Sequence, residues 1–241
     1  MKTHRPLISL LLVLATASPA LSHFVFVAVE KDSSGQPAAH VWFSELAEAD
    51  SADLLDKITA IEVWSRAATG EPKAVTVKKQ SDKSGGGALV GPVPAPTTAL
   101  SAHINYGVLT RRDETFLLHY HAKYLDASAA DFKALARDKK LGFDIVPHAS
   151  DKGFTLEVLF DGKPAAGSEV VVFDPTANEA TTKTDAAGKM ELPAAKPGLY
   201  SIRAKWIVPE AGKQGDKEYA QVNHYTTLVL RVPAKAAPQG K

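Results

Sequence analysis

From residue 23 onward the apolar residues recur with the two-residue period of strands, and only one stretch carries helical spacing. Residues 23–29 (HFVFVAV) are a continuous apolar, β-branched run, the pattern of a buried strand. The turn cluster 31–37 (KDSSGQP) separates it from a second strand at 39–44 (AHVWFS). Residues 45–57 are acidic and hold a short apolar period of Leu46, Leu54 and Leu55, which predicts a loop with a brief helix. Residues 58–65 and 73–79 alternate and predict strands; 84–87 (SGGG) predicts a turn and 91–96 (GPVPAP) a proline-rich connector. Two more strands, 100–109 and 115–124, flank the polar stretch 110–114 (TRRDE). At 128–138 (SAADFKALARD) a capping serine precedes Phe132, Leu135 and Ala136 at helical spacing, and the one helix is expected there.

Beyond 143–147 (FDIVP) the pattern becomes one of short strands divided by turns: 154–160, 168–174, 189–192, 198–206 and 219–232, with 209–217 as a polar hairpin loop. Even spacing of this kind describes a β-sandwich. The expected fold is mainly all-β. It has two sandwich-like lobes, 23–138 and 139–232, one short helix between them, and a flexible Pro/Ala/Lys tail at 233–241.

The first 22 residues read differently. A basic start (MKTHR) is followed by the apolar run 7–17 (LISLLLVLATA) and by 18–22 (SPALS), which supplies a breaker and small residues for a peptidase. The apolar run is about half of the roughly 20 residues needed to span a bilayer. A cleaved signal peptide is expected, with the cut between Ser22 and His23, export to the periplasm or beyond, and no membrane insertion afterwards. Removing it takes away Lys2 and Arg5 and no acid, so 28 Lys+Arg become 26 against 27 Asp+Glu, a net charge of −1. A near-neutral chain has no electrostatic hold on nucleic acid or anionic lipid. There are no cysteines, so disulfides, thiolate ligands and iron–sulfur clusters are excluded. The apolar share of 45% suffices for a core without such staples.

The candidate chemistry lies in the histidines. Cleavage before His23 would place a free α-amine and an imidazole on one residue, two nitrogen donors for one metal ion. In 116–124 (FLLHYHAKY) the residues Phe116, Leu118, Tyr120, Ala122 and Tyr124 share an apolar face. His119 and His121 sit together on the other face, about 7 Å apart, a spacing from which two imidazoles can reach one ion. His224 lies on a mostly apolar face of the last strand with Val222, Thr226, Leu228, Leu230 and Val232. His103 shares a small, polar face with Ser101 and Asn105, and His40 starts a strand beside Trp42. His148 follows Pro147 in the connection between the lobes, where exposure accounts for it. No nucleophile elbow or phosphate-binding glycine loop is present; residues 85–87 (GGG) lack a following lysine and helix.

Two resemblances follow from quoted stretches. Residues 161–170 (DGKPAAGSEV), 184–189 (TDAAGK) and 197–200 (PGLY) are similar to the small Ig-like, transthyretin-like modules found beside carboxypeptidases and in bacterial surface proteins. Their usual role is structural, and Asp174 and Asp185 are expected to be turn residues rather than catalytic acids. The order of HFVFV at 23–27, VWFSE at 41–45, NYGVL at 105–109, FLLHYHAK at 116–123, the GKP lobe and HYTTLVL at 224–230 resembles the secreted bacterial domain-of-unknown-function family 4198, which is associated with periplasmic cobalt or nickel uptake. That resemblance implies a metal site built on an N-terminal histidine and points to His23, His121 and His224, with His119 less clearly part of it; His103 and His40, from their places on strands, are weaker candidates.

An amine with neutral imidazoles is an all-nitrogen donor set that suits copper(II) best and also nickel(II), cobalt(II) or zinc(II). The expected function is therefore non-catalytic capture of a divalent transition metal, nickel, cobalt or copper, outside the cytoplasm, with a membrane metal transporter as the fitting partner. Two alternatives come from other classes. One is a structural or carbohydrate-binding envelope protein; the other is a copper-dependent oxidase, against which the aromatic content of 7% and the lack of a tryptophan cluster both count.

Overall fold

The computed structural model describes residues 23–150, 153–193 and 196–234. The expected signal segment, 1–22, and most of the tail lie outside the described residues. The chain opens with a hairpin of β1 (Phe24–Lys31) and β2 (Pro37–Ser44), then the short β3 (Asp50–Ser51), a 3-10 helix at Ala52–Ile58, β4 (Glu62–Ser65) and β5 (Lys73–Ala74). A second hairpin, β6 (Lys78–Ser81) and β7 (Gly86–Pro92), precedes the two long strands β8 (Ala99–Arg111) and β9 (Glu114–Asp126). A single turn of helix, α1 (Phe132–Leu135), leads to β10 (Phe143–Ser150), β11 (Gly153–Phe160) and β12 (Lys163–Pro164). The remainder is β13 (Glu169–Phe173), β14 (Glu179–Lys183), β15 (Lys189–Pro193), β16 (Gly198–Val208), the small hairpin β17 (Gly212–Gln214) and β18 (Lys217–Tyr219), and β19 (Gln221–Val232).

These strands make three layers. The middle layer is an eight-stranded sheet in the order β14-β13-β16-β19-β9-β8-β4-β5. On one face lies a five-stranded sheet, β1-β2-β7-β3 with β6 beside β7; on the other lies the sheet of β10, β11, β12 and β15. Alternation along the long strands makes both contacts possible. Leu118, Tyr120, Ala122 and Tyr124 join Phe26 and Phe43 in the first core, while Leu125, Leu228 and Leu230 join Phe143, Ile145 and Leu156 in the second. The mainly β fold expected from the pattern is the fold present. The two stretches read as lobes are joined through a shared sheet, because β19 pairs in parallel with β9 over eleven residues.

Residues 73–79, expected as one strand, divide into β5 and β6 in different sheets, and three further expectations differ from the structure. The helix at 128–138 shrinks to α1, and no side chain caps it. The hydroxyl and amide of Ser128 both turn back to the Asp126 carboxylate, at 2.6 and 2.9 Å, so the serine closes a turn rather than starting a helix. The glycine-rich stretch read as turn and connector supplies β7, a buried strand. Its Gly91 lies so close to Thr76 that a Cβ there would be 2.2 Å from the Thr76 carbonyl oxygen, a proximity invisible to propensity. Strand β14 was also not expected; all its residues are exposed and none carries an apolar periodicity. Asp174 and Asp185 are turn residues as expected. The first accepts from the Thr176 and Asn178 amides, the second from those of Ala187 and Lys189.

Candidate metal centre

Four of the predicted histidines meet on the face of the middle sheet that the β10–β11 sheet covers. His103 comes from β8, His119 and His121 from β9, and His224 from β19. Register brings them together: His103 lies opposite His121, and His224 lies opposite His119 in the parallel pairing. A bulge at 105–107, where Gly107 adopts φ +104° and donates its amide to Asn105 Oδ1 at 3.0 Å, shifts the register just beyond the Asn105–His119 pair, and the pairing continues to Arg111–Glu114.

The closest nitrogens run diagonally. His103 Nε2 is 3.3 Å from His119 Nδ1, and His121 Nε2 is 3.3 Å from His224 Nδ1. Five of the six ring pairs have centroids 4.9–6.4 Å apart. Phe143 meets His121 edge-on at 6.4 Å, and Phe160 closes over His224 at 4.9 Å while lying 6.1 Å from Trp206. His121 is buried, and its Nδ1 has no hydrogen-bond partner; the other three rings are half-buried. Among the described residues, no three His, Asp or Glu side chains stand with their donors gathered around one point, so the quartet is two close pairs.

Burial decides the charge state. It pushes the His121 imidazole well below its ordinary value, with His103, His224 and His119 adding repulsion. Burial, followed by His119 and His103, takes His224 down to about 4. His103 and His119 are also lowered, chiefly by burial; Glu62 pulls His103 back up in part. At neutral pH the four rings are therefore neutral, the state in which imidazole offers a lone pair to a metal.

His23 and His40 are not part of this cluster. The β9 face that carries Tyr120 is opposite to the face that carries His119 and His121, and the Tyr120 hydroxyl donates to the His23 carbonyl at 3.0 Å. The His23 ring lies by Phe43, its Nε2 3.3 Å from Asp50 Oδ2. His40 packs near Trp42 in the five-stranded sheet, with a buried, unpartnered Nε2. His148 is exposed and pairs with Glu157 at 3.0 Å. The combination of His23 with His121 and His224 is thus not assembled; a strand's alternation separates them.

Next to the quartet lies a buried charged group that the histidine pattern does not include. Lys123, two residues beyond His121 on the same face, is fully buried and pairs with Asp144; its ammonium also donates to the Ala136 carbonyl at 2.6 Å. Asp144 accepts the Asp138 amide at 2.9 Å, and Asp138 holds Arg66 at 3.2 Å and the Trp64 indole N–H at 2.9 Å. The signal was available in the sequence: Lys123 continues the series 119, 121 on a strand whose opposite face is wholly apolar.

No curated protein matches the sequence. A family model does, that of the domain of unknown function DUF4198, over residues 20–208. The match takes in β1 to β16, with His103, His119 and His121, and stops before β19 and His224. Covering most of the chain, it shows that the protein belongs to the DUF4198 family.

Proposed function

We propose that the protein captures or hands over a divalent transition metal outside the cytoplasm, holding it on the imidazoles of His103, His119, His121 and His224. The observation that carries this reading is the pair of 3.3 Å nitrogen–nitrogen contacts among four neutral rings. About 3.3–3.4 Å is the edge of a tetrahedron whose metal–nitrogen bonds are about 2.0–2.1 Å long. Each pair is therefore spaced as two ligands of one ion would be, and holding one ion on all four requires the rings to turn toward a common centre. All-imidazole coordination suits copper(II), nickel(II), cobalt(II) and zinc(II), and nothing in this reading requires catalysis. An exported protein of this kind would deliver its ion to a membrane metal transporter.

A second reading keeps the ion at the start of β1, because His23 Nε2 lies 3.3 Å from the Asp50 carboxylate and a cleaved chain would add its α-amine. Calorimetric titration of the exported protein with each of the four metals separates the two. We expect His121→Ala and His224→Ala to weaken binding at least about tenfold, the loss of one ligand bond, while His23→Ala and a chain extended by one alanine before His23 bind as the unaltered protein does. Unchanged affinity in both quartet variants would overturn the proposal. Loss confined to the His23 variants would place the ion beside Asp50.

A further inference from the structure

The other face of the middle sheet carries a cleft of about 530 Å³ where the five-stranded sheet stops short of β13 and β16. Six charged residues line it: Arg111, Arg112 and Glu114 around the β8–β9 turn, Glu169 on β13, and Arg203 and Lys205 on β16. Among the described residues none of the six has an ion-pair partner within 4.0 Å. Arg203 donates to the Glu45 carbonyl at 3.4 Å and lies against rings, its guanidinium 4.5 Å from the centre of Phe24 and 5.3 Å from that of Phe173, and Lys205 reaches over Tyr225 at 5.8 Å. Glu169 stands opposite Lys205 in the β13–β16 register, and Glu179, Glu45 and Glu169 act on Arg203 from beyond ion-pair distance, so these cations keep donors to offer an anion from solution.

We propose that this cleft binds a small hydroxylated carboxylate, a hydroxy acid or an acidic sugar. The volume is that of a small-molecule site. Four cations against two carboxylates call for a net negative ligand. The carboxylates of Glu114 and Glu169 can only accept hydrogen bonds, so the ligand must also bring donors; hydroxyls fit, whereas an ammonium group would face the cations. Aromatic edges from Phe24 and Tyr225, packed 5.2 Å apart, provide an apolar floor for the carbon skeleton. The site is on the sheet face opposite the histidines and stands independently of the metal proposal.

The test is calorimetry of the exported protein in metal-free, low-salt buffer with four probes. Citrate represents the hydroxy acids and digalacturonate the acidic sugars; tricarballylate is citrate without its hydroxyl, and galactose lacks a carboxylate. We expect citrate, digalacturonate or both to bind, with affinity reduced at least tenfold by Lys205→Glu and by Arg112→Glu, both at solvent-accessible positions. Tricarballylate should bind more weakly than citrate, and galactose not measurably. Binding of only one of the first two identifies the source of the ligand. Failure of both to bind, equal binding by the charge-reversed variants, or equal binding of galactose would overturn the proposal.

Discussion

At the scale of single residues, the same burial that keeps the histidines neutral makes them a liability in acid. The folded His224 ring holds its proton only below about 4, whereas the unfolded ring takes one up near the ordinary value of 6.5. His121 is shifted in the same direction. Between those values the unfolded chain binds more protons, so metal-free stability should be at its full level above pH 6.5 and fall as pH drops toward 4. Thermal unfolding across that range should show the fall, and His224→Gln should make it shallower. Lys123 is a different case, a buried charge paired with Asp144. Lys123→Met leaves that carboxylate buried without its cation and should cost about 3–5 kcal/mol in urea unfolding. Adding Asp144→Asn should recover part of the loss.

At the scale of elements, the hydrophobic pattern located the long strands well, because β9 carries a two-residue alternation that no helix could satisfy, and β8 does so up to its bulge at 105–107. It missed β7 because glycine carries no pattern. That strand exists because β2 and β6 pair with its two edges and leave no space for side chains at Gly91. Gly91→Ala should therefore destabilise the protein by about 1–3 kcal/mol, since the clash is with the Thr76 backbone and cannot be relieved by a rotamer change. A neutral result in denaturant unfolding would mean that the β6–β7 hairpin is able to shift. The 128–138 stretch shows the opposite error: its helical spacing was real, but Phe132 and Leu135 are buried by one turn, and Ser128 had a nearer partner in Asp126.

At the scale of the whole molecule, the parallel β9–β19 pairing makes one body of what the sequence presents as two segments. β19 also accepts β16 along its other edge, so the middle sheet cannot be divided without exposing the backbone of a central strand. Unfolding followed by near-ultraviolet and far-ultraviolet dichroism should give one coincident transition, and a separately expressed 139–234 segment should fail to form a stable monomer. Two resolved transitions would show that the segments are independent.

The sequence by itself determined the strand content, the turn roles of Asp174 and Asp185, and the sorting of histidines onto strand faces, since these follow from local periodicity and side-chain hydrogen bonding. It even placed His119 and His121 side by side. Tertiary structure alone decided which distant histidines join them. Parallel register carried His224 to His119, antiparallel register carried His103 to His121, and packing of the first hairpin put His23 on the far side of the same sheet. Register and layer order depend on contacts between residues as much as 202 apart, such as Thr227 donating to the Val25 carbonyl, and no window of local sequence contains them.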